Sequence, residues 1–209
     1  MNEIAPTQIV VIHDDIGEDD PIIVVLSEKH GTENVKLFPH SKDGLNYVLD
    51  NLGKKMVVLL DKNFKDPNDI SGLKVFEGIR EKTSLVYVIL ITVSKITELD
   101  DDELKMLINK DLFKFESFTS DYTQIIELID EAILSLSLRI DSVIEDWIMR
   151  HPAEKREQPL LKTKEGRSYS MNDILDSIRK QTEIGVEFER SLLKLAIELF
   201  GRQKLKIDD

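Results

Sequence analysis

Three acidic residues and a threonine directly follow the most apolar segments of the chain. Asp14 and Asp15 end a first apolar run, Asp61 ends residues 56–60, and Thr92 ends a third run. Apolar runs without alternation are typical of strands buried on both faces, as in a parallel sheet covered by helices. Polar side chains just past such strands lie at the carboxyl edge of the sheet, where α/β proteins hold their ligands.

Segments with strand and helix patterns alternate five times over the first two thirds of the chain. Such alternation predicts a parallel sheet with right-handed crossovers and helices on both faces. The predicted fold is α/β, a flavodoxin-like doubly wound five-stranded parallel sheet. Its last strand is predicted over Leu112–Phe115.

The strand-end acids have two interpretations. One is that each caps the turn that follows it, since Asp is common in turns. The other is that Asp14, Asp15 and Asp61 meet in one crevice, because the first and third strands are neighbours in a flavodoxin-like sheet. Clustered carboxylates raise one another's pKa unless a cation joins them, and Mg²⁺ is the hard ion that suits oxygen ligands. We favour the second interpretation, because three acids and a hydroxyl residue stand at the strand ends that are expected to meet. Such an ion can also neutralise a phosphoryl group arriving at one carboxylate.

Residues 8–138 resemble the receiver domain of two-component response regulators. The resemblance is carried by four segments that include the strand-end acids and Thr92, namely residues 9–15, 57–63, 71–80 and 88–94. It implies a signalling protein that receives a phosphoryl group, with a histidine kinase or a phosphotransfer protein as its partner.

The resemblance also implies a role for each site residue. Asp61 is the phosphoacceptor. Mg²⁺ is held by Asp14, Asp15, Asp61 and the backbone carbonyl of Asn63, and the Thr92 hydroxyl turns toward the phosphoryl group when the switch is thrown.

The last strand departs from the family pattern. Receivers carry Lys-Pro at the end of this strand, and the lysine pairs with the phosphoryl group. The resemblance implies that Lys114 is this lysine, although Phe115 stands where the proline belongs and a small gap would bring Phe115 or Glu116 to the site. A pseudo-receiver adaptor that takes no phosphoryl group is therefore an alternative.

Apolar residues at spacings of three and four predict one long helix from about Asp121 to Met149. That helix is longer than the last helix of a receiver needs to be. Its surplus apolar face, beyond about Leu138, requires cover from the C-terminal module or from a second chain, and we favour a homodimer. We accordingly divide the chain into a receiver-like domain, residues 1–138, and a helical C-terminal interaction or output module, residues 139–209.

The C-terminal module has its own pattern of short elements. A β-hairpin is predicted around Gly166, a helix is predicted to begin after Ser170, and a last helix is predicted over Phe188–Phe200. Apolar residues cover so much of the last helix that its exposure to solvent is not expected. The four histidines show no metal-ligand spacing, and no nucleophile–base pattern is present, so the module is not expected to be an enzyme.

Composition narrows the possible partners. The net charge of −12 is carried entirely by residues 1–138, while residues 139–209 are neutral overall. This balance does not favour nucleic-acid binding, although a DNA-binding transcriptional regulator is a third alternative. The chain has no cysteine, no basic leader and no long apolar span, so we expect a cytoplasmic protein without a membrane segment. A downstream protein partner is expected to bind the C-terminal module.

Overall fold

The computed structural model describes residues 6–93, 99–118, 122–163 and 166–203. The chain forms two compact units, one up to Ser142 and one from Val143 onward. Ser94, at the end of the last matching segment, and Asp121, the predicted start of the long helix, lie outside the described residues. Within these residues, every helix is too short or too polar to cross a lipid bilayer.

The first unit is built on one parallel sheet. Its strands are β1 Gln8–Ile12, β2 Val35–Phe38, β3 Met56–Asp61, β4 Tyr87–Thr92 and β5 Lys114–Ser117. Their order is β2-β1-β3-β4-β5, and every pair is parallel. The predicted flavodoxin-like sheet is therefore confirmed. In register, Ile12 lies opposite Leu60, and Asp61 lies opposite Ile91, so β1, β3 and β4 end side by side.

Four helices connect these strands, a fifth follows β5, and side-chain caps fix where several of them begin. They are α1 Pro21–His30, α2 Ser41–Asp50, α3 Gly72–Lys82, α4 Asp101–Asn109 and α5 Tyr122–Leu138. Asp20 caps α1 by accepting from the amide of Ile22 at 3.0 Å. The cap of α2 comes from a distant loop, since Asp69 Oδ1 accepts from both the amide and the hydroxyl of Ser41 at 2.8 Å. Such caps satisfy backbone donors that the helix itself leaves without partners.

The central strands are buried on both faces. Val57 and Leu59 point into the core formed with α1 and α5, while Val58 and Leu60 point into the core formed with α2, α3 and α4. All four side chains are inaccessible to solvent. The uninterrupted apolar run before Asp61 thus exists because both sides of the strand must be apolar.

The last strand begins two residues later than the sequence predicted. Asp111 adopts a left-handed backbone with φ 53°, and the amide of Leu112 donates to the carbonyl of Leu107 at 3.0 Å, which closes the end of α4. The half-buried Arg80 guanidinium holds the same turn by donating to the carbonyls of Lys110 and Asp111 at 2.8 and 3.0 Å. Because residues 110–112 belong to this turn, β5 runs from Lys114 to Ser117 and not from Leu112 to Phe115.

The predicted single long helix is also wrong, because α5 ends at Leu138 and α6 spans Ile140–Met149. The residue between them, Arg139, donates to the carbonyl of Ser84 at 3.0 Å and to Asp141 Oδ1 at 2.9 Å. Its guanidinium also lies 5.2 Å from the centre of the Tyr87 ring. These contacts with other parts of the first unit hold Arg139 outside the helical path.

The second unit contains the remaining elements. They are α7 Ala153–Arg156, β6 Pro159–Lys162, β7 Ser168–Ser170, α8 Met171–Arg179 and α9 Glu183–Gln203. The predicted hairpin is present as the antiparallel pair β6–β7, with Gly166 at φ +87° in its turn. Ser170 caps α8 as predicted, and Asp173 completes a capping box with it.

Helix α9 differs from its prediction in two ways. It begins at Glu183, five residues before the predicted start, and Gly185 lies inside it. A Cβ atom on Gly185 would lie 2.4 Å from the carbonyl oxygen of Ser177, so this glycine allows α8 and α9 to pack closely and does not end the helix. The expectation that α9 would be shielded from solvent is wrong for the single chain, because Leu195 and Ile197 are more than half exposed.

Candidate functional site

Two of the predicted carboxylates meet at the carboxyl edge of the sheet. Asp61 is the last residue of β3 and is buried, and Asp14 follows β1. Ligand atoms of Asp14, Asp61 and His13 all lie within 4.8 Å of one another. The neighbouring strand ends, fixed by the register of β1 and β3, bring these groups together.

Asp15 belongs to the same edge but points differently. Its carboxylate is exposed and forms an ion pair with the ammonium group of Lys65. The backbone amide of Lys65 donates to Asp14 Oδ2 at 2.8 Å, so the loop after β3 is fastened to both acids. The hydrogen bond with Asp15 raises the pKa of Lys65, which keeps this ammonium charged.

The backbone around Asp61 is tightly packed. The amide of Asn63 donates to Asp61 Oδ1 at 3.2 Å, which orients the carboxylate and leaves Oδ2 on the side of His13. Gly72, the first residue of α3, would bring a Cβ atom to 2.0 Å from the carbonyl oxygen of Asp61. Only a glycine therefore lets α3 begin directly against the end of β3.

His13 completes the cluster, and the sequence patterns did not identify it as a site residue. Its side chain is buried, Nδ1 accepts from the backbone amide of Asp15 at 3.0 Å, and Nε2 lies 3.9 Å from Asp61 Oδ2. The ring packs against Phe118 with centroids 5.2 Å apart. The available signal was its position immediately before the acid pair, at the end of a buried strand.

The electrostatic environment disfavours the charged form of Asp61. Burial is the largest influence and raises the pKa of this carboxyl group, and the nearby Asp14 and Asp15 raise it further. His13 and the hydrogen bond from the Asn63 amide act in the opposite direction but do not cancel the effect. A cation held at this edge would favour the carboxylate form.

Thr92 lies at the same edge as Asp61. It is the last residue of β4, is buried, and follows Ile91, the residue paired with Asp61. Its carbonyl accepts from the amide of Phe118 at 2.7 Å, which continues the pairing with the chain beyond β5. The structure thus places a hydroxyl side chain one register step from the candidate acceptor.

The structure does not bring Lys114 to the acids. Lys114 begins β5 and pairs with Ile89, whereas Ser117 pairs with Thr92. Three residues of strand, about 10 Å, therefore separate Lys114 from the carboxyl edge. Its ammonium group forms an ion pair with Glu131 at 3.1 Å. The late start of β5 is the reason that this sequence assignment does not fit the geometry.

Comparisons with known proteins give similarity in structure only. No protein-family model and no curated protein sequence matches the chain. Among solved structures, a CheY-like response regulator receiver domain protein from Methanospirillum hungatei matches 64% of this chain and 98% of its own, with a TM-score of 0.52 and 15% identity. NtrX from Brucella abortus matches 84% of this chain and 34% of its own, with a TM-score of 0.52 and 16% identity.

These neighbours confirm the resemblance at the level of the fold. The first unit has the fold of CheY-like response regulator receiver domains, a five-stranded parallel sheet with helices. The chain spans about a third of the length of NtrX. The activity of the whole NtrX protein therefore does not carry over to this chain.

Proposed function

We propose that this chain is a response-regulator-type signalling protein in which Asp61 accepts a phosphoryl group. The observation that supports this proposal is the position of Asp61, a buried carboxylate at the end of β3 beside Asp14 on a receiver fold. The phosphoryl donor is a histidine kinase or a phosphotransfer protein. The chain acts as a regulator and not as an enzyme with a separate substrate, and the cytoplasmic location stays a prediction from the sequence.

The donor atoms at this edge suit Mg²⁺. Asp14, Asp15, Asp61 and the carbonyl of Asn63 would hold the ion, and they offer only the oxygen ligands that magnesium prefers. The raised pKa of Asp61 fits this assignment, since an adjacent cation offsets the penalty for burying a carboxylate. When bound, the ion would supply charge neutralisation for the phosphoryl oxygens.

The residues of the chain itself position the transfer. The amide of Asn63 holds Oδ1 of Asp61, so Oδ2 is the oxygen that attacks phosphorus. The new Oδ2–P bond forms as the P–N bond of the donor phosphohistidine breaks, and the donor imidazole leaves and takes a proton from water. Thr92, one register step away, supplies a hydroxyl that can donate to a phosphoryl oxygen after the transfer.

The proposal is tested with Mg²⁺ and beryllofluoride, a mimic of a phosphoryl group. We expect Mg²⁺-dependent shifts of the backbone amides around Asp61 and Thr92 in the wild type, and no such shifts in Asp61→Asn. Asp69→Asn is the matched control, because Asp69 is a carboxylate of the same unit that serves as a helix cap. A wild type that shows no response to beryllofluoride at saturating Mg²⁺ contradicts the proposal.

A second candidate function is an adaptor that keeps the receiver fold but takes no phosphoryl group. The position of Lys114 favours it, because the ammonium group pairs with Glu131 and lies at the other end of β5 from the acids. The same titration distinguishes the two, since an adaptor would bind Mg²⁺ without a response to beryllofluoride.

Binding of nucleic acid is not supported by the second unit. Several of its basic side chains form ion pairs with acids of the same unit, among them Arg179 with Glu145 and Lys180 with Asp176. Phosphate backbones are normally bound by an excess of basic residues on one face. We therefore do not retain a DNA-binding regulator as a candidate.

We propose that the second unit forms a homodimer through an apolar surface. The exposed large apolar side chains of α6, β6 and α9, which lie on more than one side of α9, are called here the C-terminal apolar surface: Val143, Trp147, Leu160, Leu161, Leu192, Leu193, Leu195, Ile197, Leu199 and Phe200. It includes a groove of about 480 Å³ between α6, β6 and α9. A stable interface buries on the order of 800 Å² on each partner, so the groove and one side of α9 would have to contribute together. A second copy offers a matching apolar surface, and a downstream protein partner is the alternative occupant.

A further inference from the structure

We propose that the Nε2–H group of His13 donates a hydrogen bond to the phosphoryl group carried by Asp61, and that His13 is thereby a catalytic residue of this site. The inference rests on the proposed function of Asp61. It assigns a role to a buried side chain that was predicted neither as a Mg²⁺ ligand nor as the phosphoacceptor.

Neighbouring groups fix the orientation of the His13 ring. The side chain is only 5% exposed and packs against the ring of Phe118. The backbone amide of Asp15 donates to Nδ1 at 3.0 Å, so Nδ1 is an acceptor and carries no proton. A neutral imidazole has one N–H group, and that group is then assigned to Nε2. The ring is thus held as a hydrogen-bond donor on its Nε2 side.

The donor side of the ring faces the acceptor. Nε2 lies 3.9 Å from Asp61 Oδ2, which is the carboxylate oxygen that is not held by the Asn63 amide. This distance is too long for a hydrogen bond to the carboxylate itself. A phosphoryl group bonded to Oδ2 extends beyond that oxygen, and its own oxygens come within reach of Nε2–H. The geometry therefore suits the phosphorylated state better than the unmodified one.

His13 occupies a position that no lysine fills in this chain. Of the Lys, Arg and His side-chain nitrogens in the described ranges, Nε2 of His13 is the one that lies within 4.0 Å of an Asp61 carboxylate oxygen. Lys62 pairs with Glu103, Lys65 pairs with Asp15, and Lys114 pairs with Glu131. A fixed donor aimed at oxygens that gain charge during phosphoryl transfer stabilises the transition state.

Two isosteric variants separate this role from a structural one. In His13→Asn, the amide oxygen takes the place of Nδ1 and still accepts from Asp15, but the donor at the Nε2 position is lost. In His13→Gln, the amide nitrogen reaches the Nε2 position and restores a donor there. His40→Gln is the matched control, because His40 is exposed and bonded to Asp69 in the same unit.

The readouts are the half-saturating concentration of beryllofluoride at saturating Mg²⁺ and the rate of phosphorylation by acetyl phosphate, a small phosphoryl donor. We expect His13→Asn to raise the first and lower the second by about tenfold or more, and His13→Gln to restore part of both. Binding of Mg²⁺ alone should change less than about twofold in either variant, since a hydrogen bond to the phosphoryl group does not contribute to it.

Three outcomes overturn the inference. One is a His13→Asn protein that binds beryllofluoride as the wild type does. Another is an equal loss of affinity for Mg²⁺ alone, which would assign His13 to the ion or to the fold. The third is a wild type without any response to beryllofluoride, which overturns the proposed function of Asp61 as well, whereas the first two leave that function intact.

Discussion

The two units of this chain differ in how completely their apolar residues are buried. In the first unit, the central strands β1 and β3 are covered on both faces, and residues Ile9–Ile12 and Met56–Leu60 are inaccessible to solvent. In the second unit, Ile144, Ile148, Ile174 and Ile178 are buried, yet the apolar residues of α9 remain in contact with solvent. The first unit covers its central strands with its own residues, whereas the second leaves large apolar side chains exposed.

The parallel sheet accounts for the complete core of the first unit. A five-stranded parallel sheet offers two faces, and α1 to α5 supply an apolar layer for each. In the second unit, large apolar side chains of α6, β6 and α9 are roughly half exposed. A small unit with exposed apolar helices gains stability by association, which is why we propose a homodimer.

The largest expected effect tests the completeness of the first core. Phe76→Ala removes a fully buried ring of α3 that also lies 5.0 Å from the Arg80 guanidinium, so it should lower the free energy of unfolding of the first unit by about 3–5 kcal/mol. Leu134→Ala, on an exposed part of α5, should change it by less than about 0.5 kcal/mol. Hydrogen exchange of the β3 amides measures the change in the free energy of unfolding for both variants. Similar changes in the two variants would contradict a completely packed core in the first unit.

The second effect tests the close packing of α8 on α9. Gly185→Ala forces a Cβ atom against the backbone of Ser177, which should destabilise the second unit by about 1–3 kcal/mol. Gly201→Ala has open space around it and should stabilise α9 by up to about 1 kcal/mol. Denaturant titration followed by the fluorescence of Trp147, the single tryptophan, reports on this unit. If both substitutions changed the stability in the same direction, the packing argument would be refuted.

The third effect compares two carboxylates of the first unit. Burial raises the pKa of Asp61, so its ionised form costs stability, and Asp61→Asn should stabilise the metal-free protein at neutral pH. The gain should shrink as the pH falls below the raised pKa of Asp61, because the wild-type carboxyl group becomes protonated.

The pKa of Asp69 is shifted in the direction opposite to that of Asp61. Although burial alone would raise its pKa, hydrogen bonds from His40 and Ser41 hold that pKa below the usual value. Its carboxylate therefore contributes stability that is present above the ordinary aspartate pKa and lost as the pH falls through the lowered one. Asp69→Asn should destabilise the protein at neutral pH, and urea unfolding at pH 7 and pH 4 tests both variants. The same direction of change for both at pH 7 would contradict the assignment.

The fourth effect concerns association and leaves the fold almost unchanged. Ile197→Gln alters a residue that is 61% exposed, so the free energy of unfolding measured at low protein concentration should change by less than about 0.5 kcal/mol. The mass measured by light scattering should fall from that of a dimer toward the chain mass of 24.0 kDa. Val24→Gln, on the exposed side of α1, should keep the dimer mass. A wild type that has the mass of one chain excludes the homodimer and points to a different partner.

The sequence predicted what depends on local patterns. The apolar run before Asp61 required cover on both faces, and the alternation of strand and helix determined which strand ends are neighbours. The positions of Asp14, Asp61 and Thr92 at one edge follow from those two properties. The cap at Ser170 was equally local, because the capping box involves residues only three apart.

Features that depend on distant contacts were not predictable in this way. The start of β5 shifted because Arg80 of α3 holds the turn at residues 110 and 111, and this shift moved Lys114 away from the acids. The long helix is broken at Arg139 by contacts with Ser84 and Tyr87, although its apolar spacing continues across the break. His13 gains its significance from its distance to Asp61, which is 48 positions later in the chain.

The position of the loop after β3 places the Lys65 ammonium group where it competes with a divalent ion for Asp15. Lys65 is tied to Asp14 through its backbone amide, so its ammonium group stays beside Asp15 at an effective concentration on the order of millimolar or higher. A divalent ion that recruits Asp15 must displace this tethered charge. We expect Lys65→Gln to lower the half-saturating concentration of Mg²⁺ severalfold, measured by titration of amide shifts, and an unchanged value would contradict this competition. If the proposed function is correct, one side chain then sets the concentration of Mg²⁺ above which the site can respond to a phosphoryl donor.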